Sequence, residues 1–315
     1  PASREHRIRC NGVDGMRMRA SLVAIVLTHA GLQAQVLRIE AGTEDPTLLH
    51  FNEVFIQRNG ILSIEGQGSV KRDGEPIRQK NERFAYSFDT AGRLALSSAS
   101  YGRNSSSVDT SSVAYMYDGQ GRLREQQRND RSGRFAQRDS LDADGRCLRR
   151  THVRIQEPVT GGYASLRTME TIISDERFKH AAINDTALRT TWHNEHGLPY
   201  REQVFHKDRW GYLRRIDDRN IITGRRGEVS LRYDEKGRLA ERIERPDLSA
   251  SSTRKYIWRY DNAGNVTLCD AWRDGRQISH SEYLYEEGTL LLKAIISKDL
   301  ETGLIHITRY TTARR

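Results

Sequence analysis

A chain of 315 residues can hold one large or two ordinary domains and bury a sizeable core. Hydrophobic residues make up 36% and charged residues 30%, a polar balance that suits thin sheets or repeat arrays with much surface per residue. The formal charge is +9, yet only eight of the 51 basic residues are lysine and no basic run resembles a nucleic-acid arm, so nucleic acid is not an expected partner.

Residues 1–15, PASREHRIRCNGVDG, lack an initiating Met and are expected to be upstream read-through, which sets Cys10 aside. Residues 16–34, MRMRASLVAIVLTHAGLQA, carry the parts of a secretory signal: a positive Met16–Arg19, an apolar Ala20–Leu27, and Ala34 as a small exit residue. The apolar run is too short for an ordinary membrane-spanning helix, so no transmembrane segment is expected in the mature chain. Cleavage after Ala34 removes five arginines and two acids and leaves +6, spread over a mixed-charge surface. The expected location is the periplasm or outside the cell. Cys147 and Cys269 would remain there, and the sequence leaves open whether they pair or stay as two thiols.

From residue 80 onward one skeleton recurs. Asp-x-x-Gly stands at Asp89–Gly92, Asp118–Gly121, Asp130–Gly133, Asp142–Gly145, Asp208–Gly211, Asp234–Gly237 and Asp261–Gly264, with Asn194–Gly197 as a variant. An Asp or Asn opening a type I turn accepts from backbone N–H groups ahead of it, and glycine takes the positive φ that closes a three-residue hairpin loop. Steps of 12 to 14 residues between turn glycines leave room for one strand each. Further turns are expected at Pro158–Gly161, Ser174–Glu176, Asn184–Asp185, Asp274–Gly275, Glu287–Gly288 and Glu301–Gly303. The flanks alternate: Phe84, Tyr86 and Phe88 share a face, as do Val113, Tyr115 and Tyr117, and Tyr256, Trp258 and Tyr260. The aromatic before a turn and the aliphatic after it can meet across the hairpin. Residues 163–190 are the most plausible helical exception, while 99–113 and 244–253 read as long exposed loops.

YDGQGRL, YDEKGRL and YDNAGNV resemble the Tyr-Asp repeat of the YD/RHS (rearrangement hot spot) proteins. Full pairs stand at Tyr117-Asp118, Tyr233-Asp234 and Tyr260-Asp261; Phe88-Asp89, Leu141-Asp142 and His193-Asn194 are degenerate copies. The resemblance covers about residues 80–310 and implies hairpins tiled into a long sheet, which in large relatives spirals into a shell around a toxic C-terminal domain. No effector segment follows here, and the strands are too few for a large cocoon, so a short stand-alone form is implied. Residues 299–310, DLETGLIHITRY, are similar to the segment that closes RHS shells. MORN-like repeats are the neighbouring alternative.

Candidates for chemistry are few. His193-Asn194-Glu195-His196 has two imidazoles, but Asn194 and Gly197 align with the turn skeleton, and the zinc spacing is missing. The stretch DADG (142–145) lacks the twelve-residue calcium loop. No nucleophile motif is present, GQGSVKRDGE (66–75) has no strand–helix setting for a phosphate loop, and no carboxylate pair is distinguished by its surroundings. No catalytic residue, metal or cofactor is therefore assigned. The expected fold is all-β, an antiparallel meander of 16 to 20 strands, extended or curled into a partial spiral; an outer-membrane barrel is the rival, disfavoured for want of a lipid-facing band. The expected function is a non-enzymatic secreted or envelope scaffold that binds protein or carbohydrate. The alternatives are a shell fragment of an RHS-type toxin system and an unrecognised hydrolase.

Overall fold

The computed structural model describes residues 35–101, 109–156 and 169–315. The leader expected at 16–34, the stretch 1–15 and the turn expected at 158–161 lie outside the described residues. The elements begin with β1 (Leu37–Arg38), β2 (His50–Phe51), α1 (Glu53–Arg58), β3 (Ile61–Arg72), β4 (Arg78–Phe88), β5 (Leu94–Tyr101) and β6 (Asp109–Tyr117). Next come β7 (Leu123–Asp130), β8 (Gly133–Leu141), β9 (Cys147–Gln156), β10 (Met169–Asn184), β11 (Ala187–His193), β12 (Pro199–Lys207) and β13 (Leu213–Asn220). The last are β14 (Arg226–Tyr233), β15 (Leu239–Arg245), β16 (Arg254–Tyr260), β17 (Val266–Arg273), β18 (Arg276–Tyr285), β19 (Leu292–Asp299) and β20 (Leu304–Arg314).

Each strand from β3 to β19 pairs antiparallel with its successor, and β20 returns to pair with β3. Among the described residues this closes an 18-strand barrel. The all-β antiparallel meander is thus present, but it is closed rather than extended or partly spiralled. Closure depends on the long β20–β3 register, in which Tyr310 lies opposite Gly66. A Cβ on Gly66 would stand 2.9 Å from the Tyr310 ring, so the missing side chain lets the ring lie across β3. The region read as helical is strand in its described part, β10 and β11, and Ser174–Glu176 is not a turn but mid-strand beside a register shift. The expected loops shrink likewise: residues 99–101 belong to β5, 109–113 to β6, and 244–245 to β15.

The turns explain the meander. In the hairpin β6–β7 the Gly121 N–H donates to Asp118 O, the Asp118 N–H donates to Arg122 O, and Gly121 has φ 80°. Asp118 Oδ1 accepts from the N–H groups of Gln120 and Arg122, while Oδ2 accepts from Arg122 Nε. A register shift at this point sets Tyr117 opposite Leu123. Neighbouring hairpins are then stitched sideways. Tyr117 Oη donates to Leu94 O, Tyr233 to Leu213 O, Tyr260 to Leu239 O and Tyr285 to Val266 O, each at 2.7–2.8 Å. Arg238 holds Asp234, stacks 4.4 Å from the Tyr260 ring and donates to Asp261 O. Only a planar fork can do all three, a physical reason for arginine over lysine in these turns.

Alternation divides the barrel wall into two faces. The outer face carries cross-strand ion pairs at mid-strand: Arg189–Glu202, Arg232–Glu241, Lys255–Glu241, Arg138–Glu125 and Arg149–Asp175. A wall facing hydrocarbon needs an apolar band at that height; these positions carry ion pairs instead. Among the described residues no helix is long and apolar enough to cross a membrane.

The inner face is divided again. Residues 35–60 thread the lumen: Gln35 lies against the Gly264 turn, Leu37–Arg38 pairs with His50–Phe51, and α1 rests on the Gly92 turn. Asn52 caps α1 by accepting from the N–H groups of Val54 and Phe55. Val36, Ile56, Ile64, Trp258, Val266 and Leu292 form the core between this plug and the arc of β14–β20 and β3–β5.

Candidate functional site

The turn residues singled out from sequence fall on two opposite rims. Asp89–Gly92, Asp118–Gly121, Asp142–Gly145, Asp208–Gly211, Asp234–Gly237 and Asp261–Gly264 join even strands to odd ones on one rim. Asp130–Gly133 and Asn194–Gly197 join odd strands to even ones on the far rim. The 12-residue spacing therefore alternates between the two ends of the barrel and does not gather one site. Asp130 and Gly133 face each other at the strand ends around Arg131 and Ser132, and Asp130 Oδ1 accepts from the Ser132 N–H and hydroxyl. The carboxylates of the first rim are taken by their own backbones and arginines, or by Asn265 in the last case.

The open part of the lumen lies along β6–β13 and reaches to β16. Here many of the inward positions are charged, polar or aromatic. Arg150 makes a two-pronged pair with Asp139 at 2.7 and 2.8 Å, and its guanidinium lies 5.7 Å from the Phe178 ring. Phe178 meets Trp192 edge-on at 5.6 Å, and Arg201 sits 5.2 Å over Trp192. Tyr200 donates to Glu176, and burial together with that bond pushes its hydroxyl pKa up. His180 spans Thr190 Oγ1 and Cys147 O.

Where this arc meets the plug there is a cavity of about 630 Å³, within the size range of small-ligand sites. Gly42, Thr43 and Glu44 form one wall, and β12–β16 supply the rest. Arg242, buried, donates to Glu244 at 2.7 Å and to Thr43 O at 2.7 Å, fixing the plug tip. Arg201 is bound to Asp218 and turns Nη1 toward Glu44 at 3.4 Å. Burial works against the Arg201 charge, but the bonds to Asp218 outweigh it and hold the guanidinium above its ordinary pKa. Phe205, Ile216 and Val229 give the cavity an apolar floor, while Gln203, Asn220, Arg225 and Arg254 add polar groups. Asp218 and Glu244 are both engaged by arginine, so the cavity offers oriented charge and hydrogen bonding. None of these residues was singled out in the sequence. The available signal was the period-2 run Arg201, Gln203, Phe205, whose pleat puts all three on one face.

The remaining candidates lie elsewhere. Burial pushes the Cys269 thiol up to about 12 and that of Cys147 up to about 11; both are free thiols. His193 is buried, whereas His196 is exposed beside the turn in which Asn194 Oδ1 accepts from the His196 N–H. Among the described residues no three His, Cys, Asp or Glu side chains are disposed to hold a metal.

No family model matches the chain, and no curated protein matches it. Among solved structures it is similar to a porin-like protein from Bacteroides uniformis, at 13% identity over 81% of this chain and 97% of that one, with a TM-score of 0.40. It is also similar to a LolA superfamily protein from Nitrosomonas europaea, at 9% identity over 80% and 84%, with a TM-score of 0.19. Part of the Photorhabdus luminescens Tc holotoxin pore aligns at 13% identity over 71% of this chain and 14% of that one, with a TM-score of 0.20. Likeness at these scores carries no argument about function.

Proposed function

We propose that this chain is a non-enzymatic, secreted or periplasmic binding protein whose barrel holds a carbohydrate on its polar inner arc. The observation that carries the reading is the cavity against β12–β16, where an apolar floor of Phe205, Ile216 and Val229 meets oriented guanidinium, amide and carboxylate groups. A sugar ring presents one apolar face and a rim of hydroxyls, which matches that mixture. The ion-paired exterior supports a barrel that works in water, and the signal-like residues 16–34 support export. Calorimetric titration of the intact protein with a panel of neutral and acidic oligosaccharides tests the reading. Binding by at least one class, abolished in Arg201→Ala with the fold retained, is expected; a folded protein that binds none at millimolar concentration overturns it.

A second reading is a small polypeptide shell of the toxin-associated kind. It is favoured by one fact, that the barrel already encloses its own residues 35–60.

A further inference from the structure

The cavity has a charge pattern more specific than carbohydrate binding requires. Arg201 already satisfies Asp218 through Nε and Nη2, at 2.5–3.2 Å. Its remaining Nη1 faces Glu44 at 3.4 Å, a long contact to a carboxylate that is 88% exposed. Such a hydrated pair is worth little and is easily exchanged. Glu44 belongs to the plug tip rather than to the wall, so the wall keeps its arginine when the exposed Glu44 side chain swings away. Two more guanidiniums, Arg225 and Arg254, line the same cavity; the nearest carboxylate acting on Arg225 is that of Asp247, which lies outside the cavity lining. Arginines with spare donors around a cavity with an apolar floor are a receptor for carboxylate, because the guanidinium fork matches that group in shape as well as charge.

We infer that the ligand is an acidic saccharide whose ring carboxylate displaces Glu44 from Arg201, with Arg225 and Arg254 supplying the added positive charge. Glu44 is then a built-in stand-in for the ligand's own carboxylate, while Asp218 holds Arg201 in its binding geometry. This inference rests on the carbohydrate reading above and narrows it to uronate-type sugars.

The test titrates the full chain with a galacturonic-acid trimer and with its methyl ester, which keeps every ring and removes the charge. The acid is expected to bind at least about tenfold tighter than the ester, and the gap should shrink as salt rises. Glu44→Gln should tighten binding of the acid roughly three- to tenfold while leaving the ester unchanged, since a competing anion is gone. The double variant Arg225→Gln, Arg254→Gln should weaken the acid at least about tenfold without lowering the unfolding temperature, because both side chains are exposed. Equal affinity for acid and ester, or no effect of Glu44→Gln on the acid, overturns the inference and leaves the carbohydrate reading standing. If neither sugar binds, nor any neutral oligosaccharide, both fall together.

Discussion

The arc from β14 through β20 to β5 and the arc from β6 to β13 are made of the same hairpins, yet their interiors have little in common. The first presents Phe88, Leu231, Trp258, Val266, Leu292 and Tyr310 to the plug, and apart from the cavity edge on β14–β16 it is packed with apolar side chains. The second presents Asp139, Arg150, Arg201 and Asp218 to open space. Tyr-Asp turns cross from one arc to the other unchanged: Tyr117 on the polar side and Tyr260 on the apolar side both reach back to the preceding hairpin. The repeat thus sets strand order and face, while the residues between turns decide whether a stretch of wall is core or site. In physical terms, the apolar arc supplies most of the burial and the polar arc is left free for a ligand.

The sharpest way to break this comparison is to remove one inward arginine from each arc. Arg242 is buried against Glu244 and the plug-tip carbonyls, whereas the Arg128 side chain is 51% exposed beside Asp130. Arg242→Ala leaves a buried carboxylate and two carbonyls without a donor, and a loss of about 3–5 kcal/mol is expected from urea unfolding. Arg128→Ala gives up a solvated pair, with an expected loss below about 1 kcal/mol. Equal losses would mean that the plug tip is not part of the folded unit.

A second comparison uses two glycines with nearly the same backbone. Gly92 has φ 84° and Gly145 φ 81°, so alanine at either costs about 1–2 kcal/mol for the left-handed conformation. Only at Gly92 does the new Cβ meet α1, standing 2.1 Å from Glu53 O; at Gly145 the nearest atom is Arg122 Cδ at 3.5 Å. Gly92→Ala should therefore lose a further increment of about 1–3 kcal/mol as the helix is displaced. Thermal unfolding of the two variants side by side measures that increment, and its absence would show that α1 is not seated on the turn.

The strands and the inward aromatics were readable because both follow from local rules. A type I turn followed by a left-handed glycine makes a hairpin, and period-2 alternation puts Tyr256, Trp258 and Tyr260 on one face. Closure was not readable. It depends on Leu304–Arg314 finding Ile61–Arg72, more than 230 residues earlier in the chain, and on Gly66 leaving room for Tyr310. The two-rim arrangement was implicit in the spacing but hidden, because the turn at Asp130 has the same Asp-x-x-Gly skeleton as those at Asp118 and Asp142, and the turn at Asn194 differs from it only by an amide. The cavity could not be seen at all, since Glu44, Arg201, Asp218 and Arg242 meet only when the plug enters the lumen. Residues 163–190 misled because β10 lacks clean alternation: a register shift between Ile172 and Ser174 leaves Ile173 without an opposite partner on β9 and breaks the period of two.

The smallest expected effect sharpens the comparison through acid. At Asp234 and Asp142 burial favours the neutral carboxyl, but bonds from Arg238 and Arg146 and from backbone N–H groups outweigh it and hold both below the usual carboxylate range. A carboxyl held low in the folded chain stabilises it above the unfolded pKa, near 4, and ceases to do so as the pH falls through the folded value. The two ion pairs differ in exposure: the Arg238 side chain is 15% exposed and the Arg146 side chain 41%. Asp234→Asn should therefore lower the urea midpoint at pH 7 by more than Asp142→Asn does, because solvent screens the latter pair. Both gaps should close as the pH is lowered below the carboxylate range, since the wild-type carboxyls are then protonated as well. No loss in Asp234→Asn at pH 7 would show that a neutral turn cap, such as Asn194 provides on the far rim, suffices and that the pairing with Arg238 contributes nothing.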